Sequence, residues 1–321
     1  MRESEFTNNL GEAPVAPQRR NAVKTRVHKA VSMLELLVSI TIIAMSVAIL
    51  MPALRKTQQR AVAVKCMDNQ RQIVIAVSTF ASDDNGEYPE SVATIGLLQE
   101  NWNWQEPTML TACRPTRPDL HRSLSAYLNS YINDASVISC PAAPRRYSFL
   151  QQAWDAGDDW DNPDTPSPQD PVMGTYCFYW KYTGFLEARA EPFKGPRSIS
   201  SEPGLSKLLV SDYFGFGHWR NKFIYGDYKA YGSCERFNKA ASITPGTPVS
   251  SPFWSRLADD PNINPRSFDI ELHAAYTDGH VERYSPSQTI TMKVSQTPDG
   301  SVPYPDGLGP GDFYLPENAL R

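Results

Sequence analysis

The stretch VSMLELLVSITIIAMSVAILMPAL, residues 31–54, decides how this chain is organised. Nineteen consecutive residues within it, from Leu36 to Leu54, carry no charge. This is about the length that an α-helix needs to cross the roughly 30 Å hydrocarbon layer of a bilayer. Because the backbone finds no water inside lipid, a single span of this kind has to be helical. The stretch therefore predicts one transmembrane helix.

Two residues distinguish this stretch from a plain membrane anchor. Glu35 stands at the start of the apolar run, where a carboxylate is costly and usually functional. Pro52 stands near the end, where its ring and its missing N–H predict a kink in the helix. Basic residues precede and follow the span at similar density, so charge bias alone does not set its orientation. The basic cluster before the span consists of Arg19, Arg20, Lys24, Arg26 and Lys29.

The start of the stretch resembles a known processing site. Ala30 followed by Val-Ser-Met-Leu-Glu-Leu-Leu-Val is similar to the cleavage motif of the type IV prepilins and type II secretion pseudopilins. In that family a small residue and a cleavage point precede Phe-Thr-Leu-Ile-Glu-Leu-Leu or a close variant. This sequence departs from the pattern in having Ala30 where Gly is usual and Val31 where Phe is usual. Its leader of thirty residues is also long.

The resemblance implies a role for each of these residues. A prepilin peptidase would cut between Ala30 and Val31 and would N-methylate Val31, so that Glu35 becomes the fifth mature residue. Pro52 would mark the point where the helix bends. The implied partners are this peptidase, other pilin-like subunits and the inner membrane. The N-terminus would be cytoplasmic, the chain would cross the membrane once, and the C-terminal domain would be periplasmic.

The assembly role of Glu35 follows from electrostatics once the chain is cut. The new amine of Val31 and the carboxylate of Glu35 would both lie in apolar surroundings. Each unpaired charge costs several kcal/mol there, and pairing between neighbouring subunits relieves both costs. The sequence thus predicts a structural function, a filament subunit, rather than an enzyme, and it predicts no cofactor.

An ordinary signal peptide is the competing interpretation of the N-terminal segment. Its best cleavage site would follow the residues Ala61-Val62-Ala63. That site lies beyond several positive charges, and the apolar run is longer than the usual h-region of about 7–15 residues. We therefore favour the prepilin interpretation.

The helix is predicted to continue beyond the membrane, from about Ser32 to Ser82. An apolar stripe at helical spacing should pack on a sheet of the same domain. The stripe consists of Cys66, Ile73, Val77 and Phe80. Turn formers and a glycine at residues 82–86 should end the helix. Residues 65–91, KCMDNQRQIVIAVSTFASDDNGEYPES, also resemble the planctomycete-type prepilin-like proteins. The helices of those proteins read Cys-x-x-Asn-Leu-Arg-Gln and end in Asp-Asp-Asn-x-Gly-x-Tyr-Pro.

Length and charge fit a chain of three parts. We predict a leader peptide at 1–30, the transmembrane and assembly helix at 31–82, and a β-rich periplasmic domain at 83–321. The predicted fold class is α+β and pilin-like, with one long helix on an antiparallel sheet and long loops. The chain has 321 residues and a net charge of −4. An acidic mature part argues against a nucleic-acid partner.

Several segments of the C-terminal domain read as strands. Residues 176–182 and 208–212 are the clearest, and a short strand is expected at 137–141. Asp278-Gly279 is a two-residue hairpin signal. The surrounding segment 273–284 partly resembles the His-x-Asp-Gly signature that ends the planctomycete-type proteins.

An alternative function rests on the same C-terminal segment. His273, Asp278 and His280 are candidate metal ligands, because imidazole and carboxylate suit zinc or iron. With Asp212 and His218 they could form the site of a membrane-anchored ligand-binding or metal-dependent hydrolytic domain. The sequence contains no Gly-x-Ser-x-Gly or His-Glu-x-x-His motif. We therefore favour a plain hairpin and predict no metal.

The five cysteines do not form a zinc-ribbon pattern. They are Cys66, Cys113, Cys140, Cys177 and Cys234, with no Cys-x-x-Cys pair among them. If the domain is exported, as the resemblance implies, one or two disulfides are expected. The sequence does not determine which cysteines pair.

Overall fold

The computed structural model describes most of the helix and the sheets of the chain. The described residues are 32–93, 107–112, 122–141, 149–157, 172, 174–186, 192–200, 202–216, 266, 271–293 and 312–320. Ala30, Val31 and His218 lie outside these ranges, so the predictions that concern them stay predictions. Two compact units are distinguished, Met1–Arg55 and Lys56–Arg321.

One long helix, α1, spans Met33–Asp83. Its 51 residues match the predicted extent to within one residue at each end, and Pro52 lies inside it. The helix stops where the sequence predicted, because Gly86 takes a positive φ of 85° and donates its N–H to the carbonyl of Ala81 at 2.7 Å. A residue with a side chain rarely adopts this conformation, so glycine is favoured at the helix end.

The second half of α1 contributes to the core of the larger unit. Cys66, Ile73 and Val77 are completely buried there, which confirms the predicted stripe. Phe80 is partly buried, and its ring packs edge-on against Tyr127 with centroids 5.9 Å apart. Burying each such apolar side chain contributes roughly 1.5–3 kcal/mol, so this half of the helix is held by packing.

The described strands form three antiparallel sheets. The strands are β1 Thr111–Ala112, β2 Arg122–Ser123, β3 Tyr176–Phe178, β4 Thr183–Leu186, β5 Phe193–Lys194, β6 Leu208–Asp212, β7 Gly215–Phe216, β8 Leu272–Tyr276, β9 Val281–Tyr284, β10 Thr289–Lys293 and β11 Asp312–Pro316. A four-stranded sheet has the order β3-β6-β8-β9, a five-stranded sheet has the order β5-β4-β10-β11-β7, and β1 pairs with β2. One long helix combined with antiparallel sheets confirms the α+β class.

Short helical segments complete the described fold. They are α2 Ser125–Leu128, α3 Leu150–Ala156, and 3-10 helices at Ala135–Ile138, Pro286–Gln288 and Glu317–Leu320. The strand predicted at 137–141 is wrong. The side chain of Asp134 accepts a hydrogen bond from the N–H of Ser136 at 2.8 Å, and this cap starts a 3-10 turn instead.

The aromatic segment 176–182 also differs from its prediction. It was expected to be one strand, but β3 ends at Phe178 and β4 begins at Thr183. Between them Lys181 adopts a left-handed φ of 50°, and Tyr182 donates its N–H to the carbonyl of Tyr179 at 3.1 Å. The buried aromatic residues therefore form a tight turn that carries the chain from one sheet to the other.

The other two strand predictions are confirmed. Residues 208–212 form β6, and β8 and β9 pair as an antiparallel hairpin around Asp278-Gly279. The turn has a different geometry from the expected two-residue loop. A two-residue loop of the expected kind needs a positive φ at both residues, but only Gly279 has one, at 83°, and Asp278 does not. The loop therefore spans residues 277–279 and ends on a glycine in the left-handed conformation.

Candidate functional site

The first half of α1 is an exposed apolar surface. Residues Met33–Leu54 form the one helix in the described part of the chain that is long and apolar enough to cross a membrane. No side chain of this segment is buried, and Met33 and Ile49 are 91% and 78% exposed. Soluble monomers rarely expose an apolar surface of this size, so the segment is a candidate membrane span.

The hydroxyl side chains in this segment are satisfied within the helix itself. Ser39 donates to the carbonyl of Glu35 at 2.7 Å, Thr41 to that of Val38 at 2.8 Å, and Ser46 to that of Ile42 at 2.8 Å. Polar groups that face hydrocarbon need such internal partners, because lipid supplies none. The segment is thus compatible with an apolar environment despite its three hydroxyls.

Glu35 caps the start of α1. Its Oε2 accepts a hydrogen bond from the backbone N–H of Ser32 at 2.9 Å. The hydroxyl of Ser32 accepts in turn from the N–H of Leu34 at 3.2 Å. The two side chains thus satisfy N–H groups that the helix leaves unpaired at its start. The carboxylate of Glu35 consequently lies at the N-terminal end of the helix, bonded to the residue that directly follows Val31 in sequence.

A polar group, which we call the docking cluster, joins the second half of α1 to the four-stranded sheet. It consists of the buried residues Gln70, Asp212 and His273 and of Glu271, whose side chain is 42% exposed. Asp212 and His273 are 1% and 0% exposed. Since Ser211 on β6 pairs with Ala274 on β8, Asp212 and His273 are the next neighbours across the sheet.

Asp212 is the acceptor at the centre of the docking cluster. Its Oδ2 accepts from the backbone N–H of His273 at 3.0 Å and faces Nδ1 of the same ring at 2.9 Å. Its Oδ1 accepts from Nε2 of Gln70 at 3.0 Å. The Gln70 amide also donates to the carbonyl of His273 at 3.4 Å. One carboxylate thereby connects the helix to two strands.

The second ring nitrogen of His273 faces another carboxylate. Its Nε2 lies 3.1 Å from Oε1 of Glu271, whose other oxygen lies 3.7 Å from the Arg283 guanidinium. An ionised carboxylate only accepts hydrogen bonds, so each N–H that the His273 ring carries has a carboxylate oxygen as its acceptor. The result is a row of polar side chains that runs from the buried Asp212 to Arg283 at the surface.

Asn69 and Cys66 form a second attachment of the helix. Nδ2 of Asn69 donates to the carbonyl of Ser139 at 3.1 Å and to that of Ser136 at 3.4 Å. Ser139 is the residue that follows the 3-10 helix Ala135–Ile138, and the Ser136 carbonyl inside this helix also accepts from the N–H of Ser139 at 3.2 Å. One turn earlier along α1, the thiol of Cys66 lies beside that of Cys140.

The structure does not bring the three candidate metal ligands of the alternative interpretation together. His273 is engaged in the docking cluster, whereas His280 and Asp278 pair with each other in the hairpin turn, with Nδ1 and Oδ1 2.5 Å apart. The His280 ring stacks on Tyr276, with centroids 4.5 Å apart. No group of three or more His, Cys, Asp or Glu residues in the described ranges is arranged to hold a metal ion.

The hairpin turn shifts the titration of its acidic residue. Partial burial opposes charge on Asp278, but hydrogen bonds from the backbone and ring of His280, and the charge of that ring, outweigh it. They hold the pKa of Asp278 below its ordinary value. The pair is well exposed, at 64% and 53% for the two side chains, so its contribution to stability is small.

The docking cluster is suited to binding a helix rather than to catalysis. A Ser-His-Asp hydrolase needs one imidazole nitrogen facing the nucleophile, but both nitrogens of His273 face carboxylates. The neighbouring Ser211 hydroxyl instead donates to the carbonyl of Asp212 and lies 3.1 Å from the Tyr179 hydroxyl. The complete burial of His273 also keeps it away from a substrate.

Three residues of these attachments were not predicted as functional, namely Asn69, Gln70 and Glu271. The signal for the first two lies in their spacing, since they stand three and four positions after Cys66 and so on the same helical face. Their partners are more than sixty residues away in sequence, and no local pattern indicates such contacts.

Comparisons of the chain with protein families, with curated proteins and with solved structures found no match.

Proposed function

We propose that this chain is a pilin-like subunit. In this proposal a prepilin peptidase cuts between Ala30 and Val31, and α1 assembles the product into a filament of the type II secretion or type IV pilus kind. One observation carries the proposal. A single helix combines a 22-residue apolar half, without any buried side chain, with a second half that belongs to the core of a globular unit.

The exposed apolar half of α1 would have two successive partners. Before assembly it would lie in the inner membrane, with the leader in the cytoplasm and the globular unit in the periplasm. In the filament it would pack against the same segment of neighbouring subunits. Both environments cover the exposed surface and supply no water, which agrees with the internally bonded hydroxyls of Ser39, Thr41 and Ser46.

Glu35 would direct the assembly step. Cleavage creates a positively charged amine at Val31, which would share apolar surroundings with the carboxylate of Glu35. The present capping contact with the N–H of Ser32 holds that carboxylate at the helix N-terminus, where an incoming amine would meet it. Pairing between adjacent subunits would neutralise two buried charges and set the axial register.

The attachments of the second half would couple the filament core to the globular unit. Gln70 and Asn69 bind buried groups at two separate places, the sheet and the 3-10 helix Ala135–Ile138. Several contacts of this kind oppose sliding and rotation of a helix better than an apolar stripe alone. The second half of α1 would then stay attached to its own domain within a filament.

Cleavage as an ordinary signal peptide fits the structure less well. Residues Ala61-Val62-Ala63 lie within α1, and Ala63 is only 7% exposed. A cut after Ala63 would create a new helix terminus just before Cys66 and Asn69, with unpaired N–H groups next to the core. The prepilin site at residue 30 leaves the described part of α1 intact.

The mature N-terminus provides the direct test of this proposal. We expect intact-mass and N-terminal peptide mass spectrometry of the membrane-isolated protein to find a chain that begins at Val31 and carries one methyl group on its amine. A chain that keeps residue 1 or begins at residue 64 would contradict the proposal. Replacing Ala30 with Gly, the residue usual in the family, should preserve cleavage, whereas a bulky Ala30→Leu side chain should block it.

A further inference from the structure

We propose that Cys66 and Cys140 form a disulfide bond in the exported protein. Their Sγ atoms lie 2.6 Å apart, and both side chains are completely buried. Heavy atoms that are not bonded prefer separations of about 3.5–4.0 Å. A disulfide needs about 2.05 Å, so the two sulfur atoms have to approach by only about half an ångström.

Contacts on both sides hold the two cysteines in place independently of a bond. On α1, Asn69 lies one turn after Cys66 and donates to the carbonyl of Ser139, the residue just before Cys140. The backbone N–H of Cys140 donates to the hydroxyl of Thr175 at 2.7 Å. The two cysteines therefore face each other across a packed interface that other contacts already hold together.

A shared metal ion explains the pair less well than a disulfide does. A structural zinc site takes four ligands, and two thiolates would need further Cys, His or acidic residues nearby. The described ranges contain no group of three or more such residues arranged for a metal. Cys66 and Cys140 are thus placed to bond to each other.

The oxidation balances with a disulfide-bearing thiol oxidoreductase as oxidant. The two thiols lose two protons and two electrons, the Cys66–Cys140 bond forms, and the disulfide of the oxidant is reduced to a dithiol through a mixed disulfide. Such an oxidant acts in the bacterial periplasm and not in the cytosol. The inference takes only the periplasmic location of the domain from the proposed function. The pairing of the two cysteines comes from their geometry.

The bond would fix the second half of α1 to the segment that contains the 3-10 helix. It would link positions 74 residues apart, and closing a loop of that length restricts the unfolded chain strongly. A link of this kind would keep the helix attached under tension along a filament, when hydrogen bonds and packing alone could open.

Peptide mapping tests the pairing directly. The full-length protein, isolated in detergent, is denatured in acid with N-ethylmaleimide and digested with trypsin without reduction. We expect residues 66–71 to appear linked to residues 123–145, and the link to vanish on reduction. Reduction should also lower the Tm of the isolated protein by about 5–15 °C.

Cys177→Ala serves as the matched control, because Cys177 is equally buried but lies on β3. It should keep the 66–71 to 123–145 link, whereas Cys66→Ala should lose both the link and the effect of reduction on Tm. The inference is overturned by two results together. Both cysteines are alkylated in the protein as isolated, and both are also alkylated in a second sample that is first reduced and then treated with oxidised glutathione. A link that forms only with glutathione supports the pairing and counts against export, and hence against the proposed function.

Discussion

Replacing Glu35 with alanine is expected to abolish filament assembly while the chain is still cut, inserted and folded. The carboxylate of Glu35 is 2.9 Å from the backbone N–H of Ser32, and it is the acidic group closest to the proposed new N-terminus. Without it, the amine of Val31 would enter apolar surroundings unpaired. A loss of about 3 kcal/mol at each subunit contact lowers the association constant about a hundredfold.

Chemical cross-linking in whole cells, followed by immunoblotting, measures this effect. The wild-type protein should give a ladder of oligomers, and the Glu35→Ala protein should give only the processed monomer in the membrane fraction. Mass spectrometry of that monomer should still find Val31 at its start. A ladder of normal length from the variant would rule out the charge-pairing mechanism.

Two further variants separate charge from helix capping. Glu35→Gln keeps an oxygen that can accept from Ser32 but removes the negative charge, so we expect it to fail like Glu35→Ala. Ser32→Ala removes the hydroxyl that accepts from Leu34 and keeps the carboxylate. Losing that cap costs about 1 kcal/mol of helix stability, so assembly should continue. If Glu35→Gln assembled normally, capping rather than charge would be the role of Glu35.

Replacing Asp212 with alanine is expected to cause the largest loss of stability in the globular unit. Asp212 accepts from Gln70 and from the backbone of His273, and it faces the ring of His273 in a fully buried site. Its removal leaves the buried ring and backbone N–H of His273 and the amide of Gln70 without this acceptor. Each buried donor left without an acceptor costs about 1–3 kcal/mol, so the total loss should be about 3–5 kcal/mol, a large part of the stability of a typical domain.

Thermal unfolding and hydrogen exchange measure the loss at Asp212. We expect the Tm of the full-length protein to fall by about 6–20 °C. Amide exchange should also accelerate in the second half of α1, because Gln70 connects the helix to this carboxylate. An unchanged exchange rate there, together with a lowered Tm, would show that Asp212 stabilises the sheet without attaching the helix.

Asp278→Ala is the matched control for Asp212→Ala. Both variants remove an aspartate that pairs with Nδ1 of a histidine, but the Asp278–His280 pair is exposed. An exposed pair contributes at most about 1 kcal/mol, so the Tm should change little. Equal effects of the two variants would contradict the importance that we assign to burial.

Local patterns in the sequence predicted the elements that depend on few residues. The apolar run and the turn formers at 82–86 placed both ends of α1, since helix propagation and termination are decided within one or two turns. The strand at 208–212 and the hairpin around Gly279 were likewise readable from neighbouring residues. The turn inside 176–182 was not, because burial of aromatic side chains gives the same local pattern in a strand and in a tight turn.

The candidate site divides in the same way. Glu35 was recognisable because a carboxylate in an apolar run has no local explanation. Gln70 and Asn69 were overlooked because a polar residue beside an apolar stripe is usually solvated. Only the distant Asp212 and Ser139 supply the partners that these residues bind in the interior. His273 was predicted as a possible metal ligand with Asp278 and His280, but the register of β6 and β8 pairs it with Asp212 instead.

The sequence by itself determined the long helix, its apolar first half, the unusual glutamate at its start and the α+β class. These features arise from interactions within a few residues along the chain. The tertiary structure alone decided which polar residues attach that helix, which carboxylates surround His273 and which cysteines face each other. Apart from the local contact of His273 with Glu271, those contacts join residues from 61 to 203 positions apart, and only the packing of the whole domain brings such residues together.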